Sequence, residues 1–175
     1  MQFSRAQRNL IIRAMDEAEE RTGRYYCIPP YKWQQLRYDV LTCEDREWKP
    51  LPDAVLARIQ CLEKRDQARG SSFDFYRIEL NDLRILTVAT QENLEANLYA
   101  FLVYILTHEL VHLVRLSTIL NSADDYVIPS ELEESRVTRI SRQILAGAGN
   151  MRHNSMADKF GPLFHQFGEN RLISA

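Results

Sequence analysis

The feature that most constrains this chain is an uninterrupted apolar run, Leu98 to Leu106, that leads almost directly into His108-Glu109-Leu110-Val111-His112. A helix that is apolar over most of its girth has to be buried. Burying two imidazoles and a carboxylate within it costs free energy unless something pairs with them. The sequence therefore predicts a long, buried helix over residues 91–117 that carries a polar site.

The other elements are predicted from apolar periodicity and from capping and turn residues. Further helices are expected over residues 4–22, 52–69, 130–147 and 155–167, and strands over residues 36–41, 73–80 and 83–89. Asn81-Asp82 between the last two strands suits a tight hairpin turn. Ser130 and Glu133 have the spacing of a capping box.

This order of elements indicates an α+β fold that is mostly helical. A small antiparallel or mixed sheet lies in the first half, and the long buried helix is followed by a second helix that supplies a further site residue. No repeat or linker-like stretch divides the sequence, so residues 1–175 are expected to form one domain. With 45% hydrophobic residues, a chain of this length can bury an ordinary core.

The H-E-x-x-H pattern has the spacing of a metal site. Positions i and i+4 of a helix lie one turn apart on the same face, so His108 and His112 can bind one ion. Zinc suits two imidazole nitrogens and a carboxylate, with the fourth position left to water. Glu109, beside the two histidines, is placed to take a proton from that water as a general base. We therefore expect Zn²⁺ held by His108 and His112, with Glu109 as the catalytic residue.

The H-E-x-x-H helix resembles that of the gluzincin metallopeptidases, which implies a third ligand on the following helix, where Glu131, Glu133 and Glu134 are the candidates. Glu133 has the capping box as its best role, and Glu131 lies in the first turn, where carboxylates commonly oppose the helix dipole. Glu134 lines up with Thr138 and is favoured, although all three remain open. His165 is a further alternative.

The stretch HELVHLVRL, followed by ELEESRVTRISRQIL, resembles the zincin metallopeptidases, and in particular small gluzincins. The resemblance covers about residues 73 to 145. It implies a downstream Glu as third ligand, hydrolysis of peptide bonds, and a polar residue such as Thr138 supporting a metal-binding histidine. It also implies that the strand Leu83 to Ala89 is an edge strand along which an extended peptide binds.

Several alternatives stand beside this interpretation. A di-iron bundle would need a second Glu-x-x-His unit, which the sequence lacks. Tyr104 and Arg115 flank the histidines, where a core tyrosine and a salt-bridged arginine are expected. The same groove could belong to a metal-stabilised peptide-binding module without turnover, or be covered by the tail Glu169 to Ala175 in a latent protein.

Charge and cysteine usage indicate the expected partners and compartment. A net charge of −2 offers no general attraction to nucleic acid or anionic membranes. The longest apolar run is too short to span a bilayer, and the N-terminus lacks the apolar core of a signal peptide. Three cysteines without a close pair suit a reducing compartment. We expect a cytoplasmic protein that acts on peptides or proteins.

Overall fold

A computed structural model describes residues 2–66, 71–120 and 130–147. Within these ranges the helices are α1 (Arg5–Tyr25), α2 (Pro30–Trp33), α3 (Asp82–Gln91), α4 (Leu98–Leu120) and α5 (Ser130–Ala146), with a 3-10 turn at Glu95–Asn97. The strands are β1 (Tyr38–Leu41), β2 (Ala57–Asp66) and β3 (Ser71–Leu80). The predicted α+β class, mostly helical with a small sheet in the first half, is confirmed.

The sheet is mixed and has the strand order β1-β3-β2. The central strand β3 runs parallel to β1 and antiparallel to β2. Ile78 of β3 is fully buried and lies opposite Ile59 of β2 and Val40 of β1. Apolar side chains of all three strands thus lie side by side at the centre of the sheet.

The helix predicted over residues 52–69 is wrong, because residues 57–66 form β2. This segment contains good helix formers, but it pairs with β3 along its whole length. Arg58 lies opposite Glu79, whose side chain is buried, and its Nε donates to the Glu79 carboxylate at 3.0 Å. A helix here would leave that buried carboxylate without its partner, which is costly. Pairing across the sheet therefore overrides local helix propensity.

The strand predicted over residues 83–89 is also wrong, because this segment is α3. Asn81 does not form a hairpin turn but is the N-cap of the helix, since its side chain accepts a hydrogen bond from the backbone N–H of Arg84 at 3.1 Å. Asp82 then occupies the first turn, where a carboxylate opposes the helix dipole. The expected peptide-binding edge strand at Leu83 to Ala89 consequently does not exist.

The boundaries of two further helices differ from the expected ones. Ser4 caps α1 through a reciprocal capping box with Gln7, but the helix continues past Gly23 to Tyr25. The long helix does not begin directly after Thr90, because Thr90 lies inside α3. The chain then passes through the 3-10 turn before α4 begins at Leu98.

The main core surrounds α4, which packs against α1 and the sheet, and α3 contributes side chains to the same core. Its largest fully buried apolar side chains include Phe3, Leu56, Ile78, Leu80, Ile85, Phe101, Leu102, Ile105, Leu106 and Leu110. The helical stretch Glu95–Ser117 is long and apolar enough to cross a membrane by length and composition alone, although 83% of its apolar window is buried inside the protein. A core helix of a soluble fold has the same character, so this feature does not distinguish the two.

Candidate metal centre

The polar residues of α4 meet α5 on the side of α4 that faces away from the main core. His108 and His112 lie one turn apart on α4, and Glu134 projects towards them from the first half of α5. The three side chains are buried, with residue exposures of 0%, 7% and 6%. The structure thus brings together the two histidines of the motif and the favoured one of the three glutamates.

The three groups converge on one point. The Nε2 atoms of His108 and His112 are 3.2 Å apart. Nε2 of His108 lies 3.3 Å from Oε2 of Glu134, and Nε2 of His112 lies 3.1 Å from Oε1. Ligand atoms roughly 2.0–2.1 Å from a tetrahedral zinc ion are about 3.3–3.4 Å from one another. The spacing of the donor atoms therefore fits a tetrahedral site.

Hydrogen bonds alone do not account for this arrangement. A neutral imidazole carries at most one proton on Nε2, so His108 and His112 supply at most two hydrogens for three short contacts. If both are protonated at Nε2, the two N–H groups face each other. If Nε2 of one histidine carries no hydrogen, the lone pair of that nitrogen faces the negatively charged Glu134 carboxylate. A metal ion that replaces the Nε2 hydrogens and is shared by the three groups removes this repulsion, and the buried His108–His112–Glu134 group could hold such an ion.

The electrostatics of His108 suit a metal ligand. Burial lowers the pKa of His108 below its ordinary value, which favours the neutral imidazole. Glu134 opposes this shift by hydrogen bonding and by its charge, and the charge of Glu109 opposes it as well. Because only a neutral imidazole binds a metal, burial prepares His108 for coordination. Glu109 directly follows His108 on α4 and is fully buried as well.

The three candidate glutamates occupy different environments. Glu131 is exposed to solvent. Both carboxylate oxygens of Glu133 accept hydrogen bonds from Arg115, and the predicted capping box with Ser130 stays a prediction, because the Ser130 side chain lies outside the described part of the structure. Only Glu134 of the three is buried beside the histidines. Glu131 and Glu133 are thus not part of the cluster.

The neighbouring predictions have mixed outcomes. Arg115 is salt-bridged as expected, to Glu133, and Tyr104 is fully buried as expected of a core tyrosine. The Thr138 hydroxyl does not support a metal-binding histidine in the expected way, because it is buried without a hydrogen bond to any described residue.

Sequence reasoning missed the proximity of Tyr26, which packs against the α4–α5 contact from the end of α1. No local pattern could have indicated that contact, which joins residues far apart in sequence.

Some predicted features lie outside the described residues. These are the alternative ligand His165, the short helix over residues 155–167 and the tail Glu169 to Ala175.

Comparison with protein-family models, with curated proteins and with solved structures found no match for this chain. Assignment of a function therefore rests on the chemistry of the site itself.

Proposed function

We propose that this protein is a zinc-dependent metallopeptidase. The observation that carries the proposal is the buried convergence of His108, His112 and Glu134, with Glu109 following His108 on the same helix. Two imidazole nitrogens and one carboxylate are the donor set of a catalytic zinc site that leaves its fourth position open. The site would take peptides or proteins as substrates.

In this proposal His108, His112 and Glu134 hold the ion. Bound zinc supplies Lewis-acid polarisation of a water molecule and of the substrate carbonyl. The Glu109 carboxylate accepts a proton from the attacking water as the C–O bond forms. It then donates that proton to the amide nitrogen as the C–N bond breaks, so that the carboxylate is regenerated.

The strand β2 offers a second feature suited to peptides. In the described sheet it is an edge strand, since it pairs only with β3, and it packs against α4. An extended peptide can add to such an edge through main-chain hydrogen bonds. The segment over residues 83–89, which is helical, offers no such edge. It supports a peptide as the ligand class both for a peptidase and for a peptide-binding module.

The second candidate function is a metal-stabilised peptide-binding module without turnover. The observation that favours it is the burial of the site, because the side chains of both His108 and Glu109 are inaccessible to solvent. Structural zinc sites are closed, whereas catalytic sites keep a position for water or substrate. The two functions differ in the role of Glu109: in the peptidase it transfers a proton from water to the amide nitrogen, whereas in the binding module it transfers none.

The decisive variant is Glu109→Gln, which keeps the size of the side chain and removes its basicity. The purified protein and this variant would be incubated with a quenched fluorescent peptide library, with and without a chelator, after their zinc content has been measured. We expect the variant to retain zinc and to lose about 10²- to 10⁴-fold in cleavage rate.

The matched control is Glu131→Gln, which makes the same chemical change at an exposed position of α5. It should keep both zinc and activity. Cleavage by Glu109→Gln at the unaltered rate would contradict the assignment. Zinc and peptide binding by the parent protein without any chelator-sensitive cleavage would favour the binding module instead.

A further inference from the structure

The candidate metal centre draws its ligands from two helices, and an ion pair joins those helices next to it. Arg115 of α4 donates from Nε and Nη2 to the two oxygens of Glu133 on α5, with an Nη2–Oε2 distance of 2.7 Å. Both side chains are only 17% exposed. Such a two-pronged pair fixes the relative orientation of its partners as well as their separation.

The position of this pair in the sequence ties it to the ligands. Arg115 follows His112 by about one helical turn, and Glu133 immediately precedes Glu134. Successive residues of a helix point roughly 100° apart and rise about 1.5 Å along its axis. A rotation of α5 by one position would thus present Glu133 to the histidines in place of Glu134.

Apolar packing alone holds α5 weakly in register. The cluster between α4 and α5 has three buried members, Val111, Val137 and Ile144, with Ile140 and Tyr26 packed against it, and Leu145 of α5 is buried in the main core. Apolar contacts are not directional, so a small cluster leaves helix rotation poorly fixed. The hydrogen bond that Tyr25 Oη donates to Oε1 of Gln143 at 2.8 Å is a directional contact in the second half of α5. The Arg115–Glu133 pair is the directional contact in the first half, beside Glu134.

Tyr26 is a further aromatic neighbour of the α4–α5 contact. The ring belongs to the same cluster, and burial raises the pKa of Tyr26 to about 12 while Arg115 acts in the opposite direction. The aromatic side chain therefore lies within electrostatic range of the guanidinium. An ion pair partly shielded from water is less screened than one on an open surface.

We propose that Arg115 and Glu133 are positioning residues that set the register of α5, so that Glu134 faces His108 and His112 and Glu133 is held away. This inference rests on the proposed metal centre but not on catalysis. It predicts that metal affinity depends on a pair of residues that do not touch the metal.

The test is the zinc affinity of Arg115→Met, measured by competition with a chelating dye. Arg115 carries a positive charge near a bound cation, so electrostatics alone would make the Met variant bind zinc more tightly. If Arg115 positions Glu134, the Met variant should instead bind zinc more weakly than the parent protein. We expect affinity to fall about tenfold, the low end of the effect of removing a residue that hydrogen-bonds a metal ligand, because Arg115 acts on Glu134 only through the position of α5.

A second variant, Arg115→Lys, keeps the charge but cannot make the two-pronged contact. It should also bind zinc more weakly than the parent protein, by a smaller factor, and it carries the test if the Met variant does not fold. The absorption spectrum of bound Co²⁺ provides a second readout, since an altered ligand geometry changes its visible bands.

Arg77 and Asp39 provide the matched control, because Nε and Nη2 of Arg77 donate to both oxygens of Asp39 at 3.1 and 3.0 Å in the sheet. Arg77→Met should leave zinc affinity unchanged. Parent-like or tighter zinc binding in folded Arg115→Met or Arg115→Lys would overturn the positioning role alone. Absence of zinc binding in the parent protein would overturn the metal centre and this inference with it.

Discussion

The two sides of α4 are buried in different ways. One side enters the main core, where Phe101, Leu102 and Ile105 are fully buried among other apolar side chains. The other side meets α5 through a small apolar cluster, an ion pair and the His108–His112–Glu134 group. Apolar burial stabilises the first contact by itself, whereas buried polar groups are costly until they are paired. We infer that the same helix is held by packing on one side and depends on a bound cation on the other.

The largest effect on stability is expected from the main core. Phe101→Ala removes a fully buried ring and should lower the free energy of unfolding by about 3–5 kcal/mol. The loss should be the same with and without zinc, because this side of α4 does not touch the metal centre. Urea denaturation under both conditions measures it. If zinc restored the stability lost in Phe101→Ala, the main-core side of α4 would also depend on the metal, and the proposed difference between the two sides of α4 would be wrong.

The second largest effect on stability is expected from zinc binding between α4 and α5. Free zinc at a hundredfold excess over its dissociation constant should raise the free energy of unfolding by about 2.7 kcal/mol. His108→Ala should remove most of this increase, since it deletes a ligand. Thermal unfolding with and without zinc checks the prediction. Equal stabilisation of the parent protein and the variant would show that zinc binds elsewhere.

Two substitutions with smaller expected effects compare the α4–α5 cluster with the main core. Ile144→Val and Ile78→Val each delete one buried methylene and should each cost about 1 kcal/mol. Only the change at Ile144 should also weaken zinc binding, because Ile144 helps to hold the helix that carries Glu134. Parallel denaturation and zinc titrations separate the two quantities. Weaker zinc binding in the Ile78 variant would contradict the proposed difference between the clusters.

The smallest effect is expected at the start of α1, far from the metal centre in sequence. Ser4→Ala removes the side chain that accepts a hydrogen bond from the backbone of Gln7 and should cost about 0.5–1 kcal/mol. Zinc affinity, measured by the same titration, should not change. A change in zinc affinity on loss of this cap would mean that α1 controls the α4–α5 contact more strongly than its packing indicates.

The parts of the site that local geometry decides are predictable from the sequence. His108 and His112 are four residues apart, and helical geometry alone places them on one face. The phase of Glu134 on the next helix favours it over its neighbours, and it is the glutamate that lies beside the histidines. The contact of Arg115 with Glu133 is not predictable in this way, because it depends on how two helices pack.

The errors in the fold have a similar origin. The segment over residues 83–89 is rich in β-forming residues, yet Asn81 caps a helix there. Asp82 is buried, and its carboxylate accepts hydrogen bonds from the backbone N–H groups of Phe3 and Cys43. These partners come from distant parts of the chain. Tertiary contacts of this kind override local propensity, as does the pairing of β2 with β3.

The proposed metal centre is tested most stringently by an anomalous-scattering map, collected at the zinc absorption edge, of crystals of the zinc-loaded protein. We expect one peak between α4 and α5, about 2.0–2.1 Å from Nε2 of both His108 and His112 and about 2.0–2.2 Å from an oxygen of Glu134. A zinc-loaded crystal with no peak at these three residues, or with its peak at other side chains, would refute the metal centre.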